Sequence, residues 1–241
     1  MPLLDFLFPP VCIACRQEVG EAGGFCAACW AAVTFLDGPG CACCGVPFAA
    51  DAGHDTLCAA CLARPPAFDR ARAILAYDDH SRAPILGLKH ADRLELVPGF
   101  ARWLARTGAD IIAASDVIVP VPLHRSRLWR RRYNQAAELA RALSRHTGKP
   151  AILMALTRTR ATRSQGEMVS AKARRRNVLS AFQVPAAKRE QVAGKNILVV
   201  DDVLTTGATA DATARALKRA GAKSVRILAL ARVVRAAEGL I

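Results

Sequence analysis

Residues 196–209, NILVVDDVLTTGAT, decide the fold of this chain. The four apolar residues 197–200 are typical of a buried strand, and two adjacent acids, Asp201 and Asp202, follow them directly. A short loop comes next, and the pattern of 208–220 predicts a helix closed by Gly221. The stretch therefore predicts a strand, a loop and a helix in series, with paired carboxylates where the strand ends.

The loop after the two acids has the composition of a phosphate site. The side chains of 205–209 are small and leave backbone N–H groups accessible, and the helix N-terminus that follows favours an anion. Acids beside a phosphate would repel it unless they hold neutral hydroxyls, such as a ribose diol, or an ion such as Mg²⁺. Together, the two acids and the loop predict a sugar-phosphate ligand. Alone, the acids are equally typical of an ordinary strand end, and the loop is equally typical of a helix cap.

Strands alternate with helices along the rest of the region 65–241. Strands are predicted at 71–77, 116–123, 151–156, 178–184 and 225–233, and helices at 81–90, 95–107 and 134–145. This order is typical of an α/β fold with a mostly parallel sheet flanked by helices. The polar stretch 157–177 has almost no large apolar residues, so it is predicted to be a long loop or a short surface helix.

Charge is distributed unevenly along the 241 residues. The net charge is +14, yet residues 1–61 contain six acids and one arginine, so the remainder carries +19. A basic body indicates an anionic partner, which is a phosphate compound, a nucleic acid or a membrane surface, although an ordinary basic surface has the same composition. The first ten residues, MPLLDFLFPP, lack the basic start and cleavage site of a signal peptide, and no apolar run approaches the roughly 18 residues of a membrane span. The expected location is therefore cytoplasmic.

Eight of the nine cysteines form CxxC pairs, and all nine lie within the first 61 residues. The pairs are Cys12/Cys15, Cys26/Cys29, Cys41/Cys44 and Cys58/Cys61. One CxxC turn places two thiolates together, and two such turns complete a tetrahedral Zn²⁺ site. The sequence thus predicts a double zinc-ribbon module at 1–64, bounded by Pro65 and Pro66, with one or two structural zinc ions that supply its folding energy.

Other readings of these cysteines are weaker. Disulfides are disfavoured in the cytosol, and a thioredoxin-type redox site needs one CxxC rather than four in series, whereas an iron–sulfur cluster stays an alternative. Sequential pairing, in which the first two pairs share one metal and the last two another, is preferred. Interleaved pairing fits the spacing as well. Cys43 has no partner in either scheme.

The sequence VVDDVLTTGAT, 199–209, resembles the motif with which type I phosphoribosyltransferases bind 5-phosphoribosyl 1-pyrophosphate (PRPP). The resemblance covers the motif without a break. It implies that Asp201 and Asp202 contact the ribose hydroxyls and that PRPP is bound together with Mg²⁺. It further implies that the 5′-phosphate is held by Thr205, Thr206, Gly207, Ala208 and Thr209.

A wider pattern is similar to the ComF/GntX family, in which a double zinc ribbon precedes a phosphoribosyltransferase-like domain. It consists of the four CxxC pairs, VPVPLHRSRLWRRRYNQAAELARAL at 119–143, TRTRATRSQ at 157–165, RRRNV at 174–178 and the PRPP motif. The resemblance implies a role in natural competence, the uptake of single-stranded DNA. It also implies pyrophosphate binding at Leu123, His124 and Arg125. The one departure is Tyr133, where the family usually has phenylalanine.

Two functions of different classes follow from these observations. In the first, the chain is a phosphoribosyltransferase, and a nucleophile on an unidentified acceptor displaces Mg-bound pyrophosphate from PRPP, with no residue standing out as a general base. In the second, it is a single-stranded DNA-binding competence factor whose PRPP site is regulatory or non-catalytic, with a competence-machinery protein such as a helicase as partner and with Trp129 and Tyr133 as stacking platforms. Under either hypothesis, lid or nucleic-acid contacts are expected from Arg132, Arg163, Gln165, Arg175 and Arg176.

Overall fold

A parallel four-stranded sheet forms the centre of the molecule. The computed structural model describes residues 9–90, 93–159 and 181–234. The strands of the sheet are β1 (Arg70–Ala76), β2 (Val117–Pro120), β5 (Asn196–Leu204) and β6 (Ser224–Arg232). They pair in the order β1-β6-β5-β2, and every pairing is parallel. Two further strands, β3 (Thr157–Arg158) and β4 (Phe182–Gln183), form a short antiparallel pair.

Helices cover both faces of the sheet. In chain order the helices are α1 (Ala27–Ala32), α2 (Ala59–Ala63), α3 (Asp79–His90), α4 (Val97–Thr107), α5 (Ala109–Ala113), α6 (Arg125–Arg131), α7 (Gln135–Thr147), α8 (Arg189–Val192) and α9 (Ala208–Arg219), with 3₁₀ turns at Leu94–Leu96 and Ala186–Lys188. One face packs against α3, α4, α5 and α7, and the other against α9, α8 and the β3–β4 pair. The predicted α/β fold is confirmed.

The apolar run of β5 shows why the prediction succeeded. Leu198 and Val200 belong to the core beneath α4 and α7, whereas Ile197 and Val199 belong to the core beneath α9. A strand buried on both faces needs apolar side chains at every position rather than at alternate positions. The strand also runs further than predicted, because both aspartates lie within it and it ends at Leu204.

Other predicted elements differ from the structure. The predicted strand at 151–156 is wrong: Ala151 makes a single parallel bridge with Ile118, and a turn follows at once. The predicted strand 116–123 is regular only over Val117–Pro120, and the arginine-rich stretch after it forms α6. Of the predicted strand 178–184, the structure has β4, while 178–180 lie outside the described residues. In the described parts of the chain, no helix is long and apolar enough to cross a membrane.

The cysteine-rich module consists of two halves with the same local structure. In each half a CxxC turn is flanked by one antiparallel bridge, Val11 with Glu18 and Gly40 with Pro47, and the second CxxC begins α1 or α2. The residue after the turn has positive φ in both halves, 67° at Arg16 and 69° at Gly45. The module is therefore a tandem repeat of one small fold.

The module packs against the edge of β1. Leu36 N–H donates to the Ile74 carbonyl at 2.8 Å and Ala76 N–H donates to the Thr34 carbonyl at 2.9 Å, so the segment between the two halves closes that edge. The second CxxC turn docks beside it, since Ala71 N–H donates to the Cys43 carbonyl at 2.6 Å. The opposite edge, β2, is closed by residues 150–152 in the same manner.

Gly45 is the position where this docking leaves no space for a side chain. A Cβ there would lie 2.6 Å from the Ala71 carbonyl oxygen, whereas Gly148, which also has positive φ, has nothing within 4 Å of its Cβ position. We expect Gly148→Ala to cost about 1–2 kcal/mol, the left-handed backbone penalty alone. Gly45→Ala should cost clearly more, measured as the shift of the urea unfolding midpoint. Equal losses of stability in the two variants would show that the close approach of Gly45 to the Ala71 carbonyl does not make the substitution more costly.

Candidate metal centres and ligand-binding site

The eight paired cysteines form two separate clusters. In each cluster all four sulfur atoms lie within 4.8 Å of one another. The first cluster is Cys12, Cys15, Cys26 and Cys29, and the second is Cys41, Cys44, Cys58 and Cys61. The pairing is therefore sequential, and the interleaved alternative is wrong.

The chemistry of both clusters fits structural zinc. Four sulfur ligands on two short turns are the donor set of zinc ribbons. In the second cluster, the Cys41 sulfur accepts hydrogen bonds from the N–H groups of Cys44 at 3.4 Å and Cys58 at 3.3 Å, which orient it within the cluster. Cys43 is not one of the four cysteines of this set, although its side chain contacts that of Cys61, and its Sγ donates to the Phe68 carbonyl oxygen at 3.9 Å.

The second cluster is also bonded to the end of the central sheet. The Arg232 side chain, at the last residue of β6, donates to the Cys44 carbonyl at 2.6 Å and approaches the Cys44 sulfur at 3.8 Å. Val233, the next residue, donates its N–H to the Leu204 carbonyl at the end of β5. A continuous set of contacts thus connects the cysteine cluster with the strand that carries the aspartates.

A cavity of about 340 Å³ opens at the carboxyl ends of β1, β2 and β5. Five residues that the sequence singled out lie in its wall, namely Leu123, Asp201, Asp202, Thr205 and Thr209. Residues 121–123, which follow β2, and Gln135 and Ala136 in the first turn of α7 also line the cavity, whereas Thr206, Gly207 and Ala208 are not part of its wall. The strand order thus brings the predicted sugar, phosphate and pyrophosphate segments to one place.

Asp202 is held by two polar side chains from different helices. Lys89 Nζ of α3 lies 3.3 Å from Oδ1, and Gln135 Nε2 of α7 donates to Oδ2 at 2.7 Å. The Lys89 and Asp202 side chains are only 17% and 10% exposed. A carboxylate so deeply buried needs such partners, because burial without them would strongly disfavour its charge.

Asp201 has a different environment. Burial and, next, the neighbouring charge of Asp202 raise the pKa of Asp201 to about 7. The Asp202 N–H, which donates to Asp201 Oδ1 at 2.9 Å, lowers the pKa, and Lys89 and Arg158 lower it further. The Asp201 carboxyl therefore gains and loses its proton near neutral pH.

The loop at 205–209 leads into the N-terminus of α9. Gly207 has φ 71° at the N-cap of α9, and no atom lies within 4 Å of its Cβ position, so the loop is open at this point. Ala208 begins the helix. The Thr206 hydroxyl is buried with no hydrogen-bond partner among the described residues. An unsatisfied buried hydroxyl beside a helix N-terminus is what a bound phosphate would complete.

The predicted pyrophosphate residues have three different placements. Leu123 lines the cavity, whereas His124 caps α6 by accepting the Ser126 N–H on its Nδ1 at 3.3 Å, and Arg125 is exposed in the first turn of α6. Arg132 is exposed and has φ 61°, and its neighbour Arg131 lines the cavity. The other predicted contacts, Arg163, Gln165, Arg175 and Arg176, lie outside the described residues. The roles assigned to these residues stay predictions.

Sequence reasoning missed the two partners of Asp202. Lys89 is a lysine near the end of a helix with no motif around it, and nothing in the sequence relates it to a residue so far along the chain. Gln135 had a weak indication, because it follows Asn134, which caps α7, and lies within the family-like stretch 119–143. Only the folded chain brings both to the carboxylate.

Both parts of the chain are similar to known proteins. A double zinc ribbon domain model matches residues 3–63, and a phosphoribosyl transferase domain model matches 131–238. "DNA utilization protein YhgH" of Escherichia coli K12 is 36% identical and covers 94% of this chain and 98% of its own length, and "Competence protein F" of Haemophilus influenzae is 31% identical and covers 92% and 96%. A solved glutamine PRPP amidotransferase from B. subtilis, at 23% identity and a TM-score of 0.38, covers 55% of this chain and 25% of that one.

The sulfur geometry predicts two zinc ions per chain. We expect Cys41→Ser to lose the second ion and to lower the thermal midpoint, because the cluster that holds the second half together is incomplete. Cys43→Ser should retain both ions, since its sulfur is outside the cluster. Metal content of purified protein by mass spectrometry distinguishes the two variants. A Cys43→Ser protein with one zinc ion would contradict the assignment.

The raised pKa of Asp201 predicts a specific dependence of stability on pH. Between the ordinary carboxyl pKa of 3.8 and about 7, the unfolded chain releases the proton and the folded chain keeps it. The free energy of unfolding of the wild type should therefore fall with rising pH across this range, relative to Asp201→Asn, and level off above it. Urea titrations of both proteins at several pH values measure the difference, in which contributions from the cysteine clusters cancel. A constant difference would refute the shift.

Proposed function

Since the chain belongs to the family of competence protein F and DNA utilization protein YhgH, we propose that it is a PRPP-binding phosphoribosyltransferase-like protein that acts in natural competence and DNA uptake. One observation carries the PRPP assignment. Asp201, Asp202, Thr205 and Thr209 line a single cavity next to the N-terminus of α9, where the carboxylates would accept hydroxyls and the helix N-terminus would favour a phosphate. The proposed location is the cytoplasm, where cysteine clusters of this kind stay reduced.

In the proposed complex, each part of PRPP contacts residues of complementary chemistry. Asp201 and Asp202 accept the ribose hydroxyls, the loop 205–209 holds the 5′-phosphate, and the pyrophosphate lies towards 121–125 and Arg131. A Mg²⁺ ion bound with PRPP would neutralise part of the pyrophosphate charge. Asp201 must lose its proton to accept a hydroxyl without competition, so affinity should rise with pH through the region of its pKa.

The proposed reaction is a displacement at the anomeric carbon. A bond forms between that carbon and a nucleophile, the bond to the pyrophosphate oxygen breaks, and the oxygen leaves with the electron pair. The chain contributes by fixing the ribose through Asp201 and Asp202 and by placing the Arg131 charge near the leaving group. Lys89 and Gln135 fix the orientation of the Asp202 carboxylate before the substrate arrives.

A second function is favoured by a different observation. Trp129 is 88% exposed on α6, where Arg131 and Arg132 stand close in sequence. Exposed aromatic and basic side chains together are typical of surfaces that bind single-stranded nucleic acid. Tyr133, the other predicted stacking residue, is half-buried, and its hydroxyl donates to the Leu88 carbonyl and joins this region to α3. The second proposal is thus DNA binding at α6, with a competence-machinery protein as partner and a regulatory PRPP site.

Calorimetric titration with PRPP and Mg²⁺ tests the first proposal. We expect the wild type to bind, and Asp201→Asn and Asp202→Asn to bind at least tenfold more weakly, since each loses a hydrogen bond to a charged group worth about 1.5–3 kcal/mol. Asp110→Asn is the control, because this aspartate pairs with Arg70 on the surface and is absent from the cavity wall.

The outcomes separate the two proposals. No PRPP binding by the wild type would contradict the first. Single-stranded DNA binding that weakens steeply with salt and with Trp129→Ala would support the second, because phosphate contacts release counterions. Release of pyrophosphate from PRPP in the presence of a panel of bases and amines would establish the transferase reaction.

A further inference from the structure

A second cavity, of about 600 Å³, lies between the cysteine-rich module and the sheet domain. Its walls come from α1, the segment 35–40 between the two halves of the module, the second CxxC turn, β1 and α4. It shares no residue with the cavity at Asp201 and Asp202. Its volume is within the range of pockets that bind small organic ligands.

One wall of this cavity is aromatic and held in place. The Trp30 and Phe35 rings lie 4.5 Å apart, and Trp103 stands nearly perpendicular to Trp30 at 6.2 Å. Trp103 in turn packs against Phe25 and Phe100 from the side of the core. Trp30 nevertheless stays 48% exposed. The Trp30 ring is held by aromatic neighbours on one side and exposed to solvent on the other. A ligand that stacks on the exposed side therefore does not have to order the ring first, which lowers the entropic cost of binding.

Two arginines complete the cavity. Arg72 of β1 is half-buried, and Arg106 of α4 is exposed one turn after Trp103, on the same side of that helix. Neither forms an ion pair with any residue that the structure describes. The Arg72 guanidinium donates to the Ala71 carbonyl at 3.0 Å, and an anion in the cavity would supply an opposite charge close to it. Asp37 also lines the cavity.

We propose that this cavity binds a nucleotide, with its base stacked on Trp30 and its phosphate between Arg72 and Arg106. An open aromatic face beside two guanidinium groups that lack an ion-pair partner in the described part of the chain suits this ligand class, because each nucleotide has one π-face and one anion. Asp37 accepts a hydrogen bond from the sugar or base. The nucleotide comes either from free nucleoside monophosphate or from one unit of a single-stranded nucleic acid. This site is independent of the proposed PRPP site.

Titration of the full-length, metal-loaded protein with dAMP and with a six-residue oligo(dA) tests the proposal. We expect Trp30→Ala and Arg106→Glu each to weaken binding about tenfold, which is the effect of losing one stacked base or one phosphate contact. Trp30→Phe should recover part of the loss, because it restores a ring. Arg219 lies at an exposed position of α9 outside the cavity. The Arg219→Glu variant, which also reverses a charge, should therefore bind as the wild type does.

The outcomes identify the source of the nucleotide. Binding of dAMP alone indicates a free nucleotide, and tighter, salt-sensitive binding of the oligonucleotide indicates a nucleic-acid strand. Retained affinity in Asp201→Asn/Asp202→Asn, with PRPP binding lost, shows that the two sites are separate. The proposal is overturned if neither probe binds, or if Arg106→Glu, which changes an exposed side chain and leaves the fold intact, binds both probes with wild-type affinity.

Discussion

The structure depends on keeping two adjacent carboxylates inside a cavity at the end of a buried strand. Burial and the neighbouring Asp202 charge raise the pKa of Asp201, and the two carboxylates have different partners. Asp202 receives the Lys89 ammonium and the Gln135 amide, whereas Asp201 keeps a proton more readily. Since the two partners stand on α3 and α7, the same interaction fixes both helices around the cavity.

These partners also explain how a site so charged can exist before its ligand binds. In the proposed complex, a sugar diol would donate hydrogen bonds to the aspartates and a phosphate would bind at the loop 205–209, so the ligand would add partners to the polar groups of the cavity. The Thr206 hydroxyl and the Gln135 amide oxygen are buried and lack partners among the described residues. Both of these unsatisfied hydrogen-bonding groups lie in the region where the sequence predicted the ligand.

Local features of the sequence were predicted well, and contacts between distant residues were not. The strand, loop and helix around Gly207 follow from a continuous stretch in which each residue's preference agrees with its neighbours'. The pairing of the cysteines could not be decided, because both schemes close loops of acceptable length. The apolar residues of 151–156 are typical of a strand. In the structure, however, this segment lies beside the sheet edge and makes a single bridge, between Ala151 and Ile118. Nothing in the sequence relates Lys89 to Asp202, and their contact is visible only in the folded chain.

The segment 34–36 has a consequence for how the two parts of the chain depend on each other. By bonding to Ile74 and Ala76, it occupies the outer side of β1, which would otherwise present unpaired N–H and C=O groups to the surroundings. Open edges of that kind recruit strands from other molecules. A chain whose cysteine clusters fail to acquire metal would therefore be at risk of self-association, even though its sheet and its aspartates are unchanged.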